Sequence, residues 1–186
     1  RSLTSSVAYT TITTTITSGG RPTTITLPKY TRFTATVDDI NYTFYTLETY
    51  NATDDGTGSY TFLNSMGLAS IALKEGTLKT KTFYAGSSNE RQVYIIPDTT
   101  IDTTTAAVNV YLSPTSSSFT SYTKLYDAIS VDANSTLYQL RESPNGQYEM
   151  AFSDGVTTGR APQAGQKIVV NYLSSSGVNS NTASSF

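Results

Sequence analysis

Leu137-Tyr138-Gln139-Leu140 and Tyr148-Glu149-Met150-Ala151-Phe152 flank Ser143-Pro144-Asn145-Gly146. Successive side chains of a strand point to opposite faces, so each alternating run suits a half-buried strand. Pro presets a turn and Gly takes a positive φ without steric cost. Pro-Asn-Gly between two such runs therefore predicts a hairpin.

The same pattern recurs outward in both directions. Ile168, Val170 and Tyr172 form a last strand, and Val108, Val110 and Leu112 bracket Asn109 and Tyr111. Val93 and Ile95 lead into Ile96-Pro97-Asp98, where Pro ends a strand or marks an edge. Phe33, Ala35 and Val37 meet Ile40, Tyr42 and Phe44 across Asp38-Asp39, a tight hairpin candidate that lacks the favoured Asp-Gly pair. Ile25 with Leu27, Tyr60-Thr61-Phe62, and Ile71 with Leu73 add short strands. Thr77 to Tyr84 reads as an exposed connecting strand. In residues 1–18 the apolar spacing slips between Tyr9 and Ile12, as a bulge would make it.

No stretch keeps apolar residues at helical spacing, and Lys124 to Val131 is the one ambiguous segment. The expectation is an all-β chain of about ten to twelve strands: two small antiparallel β-sandwich or barrel-like domains in tandem, without substantial helix. A composition shift near Gly76 places the domains at 1–76 and 77–175, with 176–186 as a polar linker or tail.

Composition narrows the chemistry. The 186 residues contain no His and no Cys, while Thr and Ser make up nearly a third. That removes the Ser-His-Asp triad, imidazole bases, thiolate nucleophiles and disulfides, and no cofactor is expected. The charged fraction is 14% and the net charge −2, so nothing favours nucleic acid or an anionic membrane as partner. Lys74, Lys79 and Lys81 are the closest basic set and do not form a stripe.

The remaining candidates read as structural. Asp38-Asp39 and Asp54-Asp55 could bind calcium or do acid–base work, but neither has calcium-loop spacing and both fall at expected turns. Glu48, Glu75, Glu90, Glu142 and Glu149 are the only Glu residues; a glycosidase would need two carboxylates facing one sugar, and Glu142 and Glu149 could be neighbours on the solvent side of the hairpin. Asn41-Tyr42-Thr43, Asn51-Ala52-Thr53 and Asn134-Ser135-Thr136 match the glycosylation pattern, as a Thr-rich chain will by chance. The 14 Tyr residues could form a binding platform, but most alternate within strands, where core packing is the simpler reading. Ser153-Asp154-Gly155-Val156-Thr157-Thr158-Gly159 lacks the Lys-Ser or Lys-Thr of a phosphate loop. No catalytic, cofactor-binding or metal-binding residue is assigned, and no enzymatic activity is expected.

Three segments carry a resemblance. Leu27-Pro28-Lys29-Tyr30-Thr31-Arg32-Phe33-Thr34 resembles an I-P-x-G-T-R-F signature. Ile71-Ala72-Leu73-Lys74-Glu75-Gly76-Thr77 is followed by Tyr94-Ile95-Ile96-Pro97-Asp98 and Ile101-Asp102-Thr103. Tyr148-Glu149-Met150-Ala151-Phe152-Ser153-Asp154-Gly155-Val156 then leads to Ala164-Gly165-Gln166-Lys167-Ile168-Val169-Val170-Asn171-Tyr172. In this order, over roughly residues 20–175, they resemble the baseplate wedge subunit of contractile-tailed bacteriophages, in the baseplate J-like family. The departures are Tyr30, where the signature often has Gly, and Ser153, where Gly commonly precedes Asp-Gly. The resemblance implies a central β-rich part of a longer chain, consistent with a start at Arg1, with helical portions on one or both sides. It also implies a structural role in the virion, at the tail baseplate, in contact with other wedge proteins and copies of itself. It carries over no catalytic residue. The rival expectation is an extracellular adhesin or carbohydrate-binding β-sandwich.

Overall fold

The computed structural model describes residues 3–87, 92–153, 155, 158–181, 183 and 185–186. Among them the regular structure is nearly all strand: fifteen strands and two short 3-10 turns, so the protein is all-β. The strands are more numerous than the sequence suggests because several are only three or four residues long. The chain divides into two compact units.

The N-terminal unit comprises Ser5–Leu78 together with Ser175–Phe186. Its main sheet has the order β1-β8-β5-β4, built from β1 (Val7–Thr10), β4 (Arg32–Val37), β5 (Ile40–Thr46) and β8 (Ile71–Glu75). Two antiparallel ribbons complete it: β2 (Thr13–Thr15) with β7 (Ser59–Thr61), and β3 (Thr24–Leu27) with β6 (Tyr50–Thr53). The slip between Tyr9 and Ile12 is thus a change of sheet, from β1 on β8 to β2 on β7, rather than a bulge within one strand.

β4 and β5 pair with Val37 opposite Ile40, so Asp38-Asp39 is a two-residue turn. Both residues take positive φ, 49° and 62°, the geometry that matches the strand twist. Alternation from this turn drives Ala35, Phe44, Ile71 and Leu73 into one core with Tyr50, Ala52, Tyr60 and Phe62. The last residues, read from the sequence as a polar tail, return to this unit. A 3-10 turn at Gly177–Ser180 follows, Ala183 packs on the core, and Phe186 stands edge-on to Phe44 at 5.0 Å.

The second unit comprises Lys79–Ser174, with Leu3 and Thr4. One seven-stranded sheet holds β10 (Val93–Ile96), β14 (Tyr148–Phe152), β13 (Leu137–Glu142), β12 (Phe119–Lys124), β11 (Ile101–Tyr111), β15 (Lys167–Ser174) and β9 (Thr77–Tyr84), in that order. The Pro-Asn-Gly hairpin forms as expected: Glu142 pairs with Tyr148, and the Ser143 N–H donates to the Gln147 carbonyl at 2.8 Å. Pro97 ends β10 one residue after its last paired position, and β10 lies at one end of the sheet.

The sheet curls until its two ends meet, since Phe83 of β9 packs against Tyr94 of β10 at 5.3 Å. Inside lie Ile96, Val108, Val110, Met150, Phe152, Ile168 and Val170. Two features depart from a plain antiparallel meander. β12 and β13 pair in parallel, because the intervening segment makes a 3-10 turn at Leu125–Asp127 and carries the chain back to its starting end. β11 slips register against β15 between Asp102 and Ala107.

Candidate functional site

The carboxylates of Asp54-Asp55 are occupied by the backbone of their own loop. Asp54 Oδ1 accepts the N–H groups of Gly56 and Gly58, both at 2.9 Å, while Oδ2 lies 3.6 Å from Arg21 Nε. Asp55 Oδ1 accepts from the Thr57 hydroxyl at 2.7 Å, the Thr57 N–H at 2.8 Å and the Ser59 N–H at 3.2 Å. The Thr57 hydroxyl, then its N–H, hold the Asp55 carboxyl below its ordinary range. Gly58 is required here: its φ is 91°, and a Cβ would sit 2.5 Å from the Ile16 carbonyl oxygen. Asp38 and Asp39 are exposed at their turn. Among the described residues no group of three acidic side chains could hold a metal ion.

The structure separates the two Glu residues of the hairpin. Arg141 stands opposite Glu149, and Glu142 opposite Tyr148. Facing partners share a sheet face and successive residues alternate, so Glu142 and Glu149 lie on opposite faces. They cannot flank one sugar ring. Glu48 is exposed and Glu90 lies outside the described residues.

Glu75, one of the five Glu residues, is buried, which its place in the sequence did not lead one to expect. Ile71, Leu73 and Glu75 continue one alternation, and Glu75 pairs with fully buried Phe44, so its side chain enters the core, 4% exposed. A buried carboxylate must be hydrogen-bonded. The Ser175 hydroxyl donates to Oε2 at 2.8 Å, the Ser176 hydroxyl to Oε1 at 2.9 Å, and the Ser176 N–H reaches both oxygens at 3.3–3.4 Å. The returning C-terminal segment is therefore clamped onto the core strand. The Ser6 hydroxyl adds a 3.0 Å bond to the Gly177 carbonyl. The readable signal was period-2 spacing that carried an acid onto the apolar face.

A second buried network lies in the other unit. Lys79 Nζ is 2.8 Å from Asp98 Oδ2, and Asp98 Oδ1 accepts the Thr100 N–H and hydroxyl. Burial would raise the Asp98 carboxyl, but Lys79 and Thr100 outweigh it and lower it to about 2. Burial, then the charge and hydrogen bond of Asp98, push the Tyr172 hydroxyl up to about 12. Burial, with a smaller effect of Asp127, pushes Tyr138 up to about 12, and its hydroxyl donates to the Ala106 carbonyl at 2.9 Å. At the register slip, fully buried Asp102 accepts the N–H and hydroxyl of Thr104. The Thr105 hydroxyl accepts the Leu173 N–H at 2.9 Å, replacing a ladder bond.

The glycosylation-pattern Asn residues are exposed and hydrogen-bonded on their surfaces. Asn41 accepts from Thr36, Asn51 from Thr26, and Asn134 from Arg160. Of the Tyr residues, Tyr50, Tyr60, Tyr94, Tyr122, Tyr138, Tyr148 and Tyr172 are core, which favours packing over a platform. In the Ser153–Gly159 loop, Asp154, Val156 and Thr157 lie outside the described residues, and the next regular element after Gly159 is strand β15.

What the surface does offer is apolar side chains. In the second unit Val93, Ile95, Leu112, Phe119, Tyr126, Ile129 and Val131 are exposed; in the first, Val7, Tyr9, Met66 and Leu68 are. The sequence matches no family model, and no curated protein matches it.

Proposed function

We propose that this chain is a non-catalytic structural subunit of a contractile-tail baseplate wedge in the virion, its two β units serving as spacers and docking surfaces. The observation that carries the reading is a contrast. Asp54, Asp55, Asp98 and Glu75 are engaged by their own loops or by buried clamps, while large apolar side chains stand exposed on both units. Side chains spent this way suit fixed neighbours rather than a reacting substrate. Exposed Val7 and Tyr9 lie on β1, an edge strand of its sheet, where a neighbour's strand could add.

The baseplate assignment itself rests on the ordered sequence segments. One detail of geometry supports it. Tyr30, at the position where the signature often has Gly, holds φ 66°, a conformation that suits Gly. Immunogold electron microscopy of tail particles, with antibody raised against this chain, tests the reading. Label at the baseplate end is expected. Label on fibres or a cell surface would instead favour an adhesin.

A further inference from the structure

The outer face of β12, β11, β15 and β9 carries a row of rings. Phe119 pairs with Tyr111, and Tyr111 with Lys167. The Thr80 hydroxyl donates to Asn171 Oδ1, and the Ala85 N–H to the Gln166 carbonyl, so β9 runs antiparallel to β15 with Tyr84 beside Lys167. Val110, Ile168 and Phe83, the chain neighbours of Tyr111, Lys167 and Tyr84, belong to the core, so the row points outward. Phe119 is 51% exposed and Tyr84 59%. The rings of Tyr111 and Phe119 lie 5.2 Å apart, and Lys167 Nζ sits 4.4 Å from the Tyr111 centroid while donating to the Pro114 carbonyl at 2.9 Å. Four strands set the length of the row at roughly 14 Å.

Behind the rings lie amides and hydroxyls. Asn109 Oδ1 accepts from the Ser121 hydroxyl at 2.9 Å, and Asn171 Oδ1 from Thr80 at 2.7 Å. Each carboxamide oxygen is thus engaged, and each Nδ2 is left as a donor on the outer face, without a partner among the described residues. None of these side chains is acidic, and Lys167 is the one cation among them.

We propose that this strip binds an acidic polysaccharide, a chain of sugars bearing carboxylates, laid across the four strands. A pyranose ring offers an apolar C–H face and a rim of hydroxyls. Phe119 and Tyr84 match the first, and the Nδ2 groups of Asn109 and Asn171 match the second. The Lys167 ammonium keeps two N–H donors beyond its bond to Pro114, enough to hold a sugar carboxylate. A protein neighbour is the poorer match. The centre of a protein interface is depleted in charge, whereas Lys167 and the two amides stand in the middle of this strip. The site is open rather than enclosed, so binding is weak and salt-sensitive. It lies wholly within the second unit and does not depend on a place in a baseplate.

Two-dimensional NMR titration of the full chain with oligogalacturonate, and with a neutral cello-oligosaccharide of equal length, tests it. Shifts centred on β9, β11, β12 and β15 are expected with the acidic chain, and added salt should weaken them. Phe119→Ala and Tyr84→Ala should each weaken binding about three- to tenfold. Lys167→Gln should weaken it about threefold and remove most of the preference over the neutral chain. Should Phe119→Ala unfold, as circular dichroism would reveal, Tyr84→Ala and Lys167→Gln still decide. No shifts at about 10 mM oligosaccharide, shifts centred elsewhere, variants that bind like wild type, or equal affinity for the neutral chain would overturn the proposal. Baseplate labelling would be unaffected by that failure, so the two readings fail separately.

Discussion

Lys79 on β9 and Asp98, two residues beyond β10, join opposite ends of the seven-stranded sheet through a 2.8 Å ion pair. The ring contact of Phe83 with Tyr94 joins the same two strands. A hydroxyl pair, Thr100 with Ser174 at 2.6 Å, ties the loop after β10 to the end of β15. Among the described residues these side chains join the two ends of the sheet, and the Lys79–Asp98 pair makes that part of the closure depend on protonation state.

The acid limb follows from Asp98. Its folded carboxyl lies at about 2, below its ordinary 3.8. Its contribution is therefore complete above about pH 4 and is lost as pH falls through about 2. Lys79→Met removes the partner of a carboxylate that is 7% exposed and should cost about 1–3 kcal/mol at neutral pH. It should also flatten the stability profile between about pH 4 and 2. Denaturant unfolding at several pH values measures both.

The alkaline limb has the opposite sign. Tyr138 and Tyr172 are both raised from 10.0 to about 12, so their contribution is complete below about pH 10 and is lost as pH rises toward 12. Tyr172→Phe should shallow this limb. Ultraviolet titration of tyrosinate, followed alongside unfolding, should show one late-ionising group fewer in the variant than in the wild type, where burial also raises Tyr30, Tyr50, Tyr60, Tyr94 and Tyr122.

At Gly58, Ala must take a positive φ and place its Cβ against the Ile16 carbonyl. Gly58→Ala should destabilise the N-terminal unit by more than about 1 kcal/mol. At the other turn the prediction reverses. Replacing Asp38-Asp39 with Asn-Gly suits the two positive φ values and should stabilise by a few tenths to about 1 kcal/mol. Thermal unfolding of the two variants should move in opposite directions.

These turns show what the sequence made legible. Alternation and turn chemistry located the hairpins at Asp38-Asp39 and at Pro144-Asn145-Gly146, because both signals are local. The return of Ser175–Phe186 onto β5 and β8 was not legible. A polar, aperiodic segment looks like a tail unless Glu75 is recognised as an acid on a core face that needs donors. The parallel pairing of β12 with β13 and the Lys79–Asp98 closure were hidden for the same reason: they join positions distant in sequence, and no local pattern encodes which partner is chosen. The acidic candidates at the turns were correctly read as turn residues, whereas the suggested pairing of Glu142 with Glu149 failed on a single step of register.

The clamp at Glu75 gives a further prediction. Glu75→Ala leaves the Ser175 and Ser176 hydroxyls without their acceptor, and a cavity beside Phe44. The N-terminal unit should lose about 2–4 kcal/mol. Hydrogen exchange should rise in β5, β8 and the C-terminal segment, while β13 and β14 keep their protection. Equal loss of protection in both units would contradict the clamp.

Cross-linking mass spectrometry on intact tail particles would show whether this chain has fixed neighbours in a baseplate. Cross-links from this chain to baseplate wedge proteins and between copies of itself are expected. Tail particles in which the chain is present but forms no cross-link to any other subunit would contradict the proposed structural role.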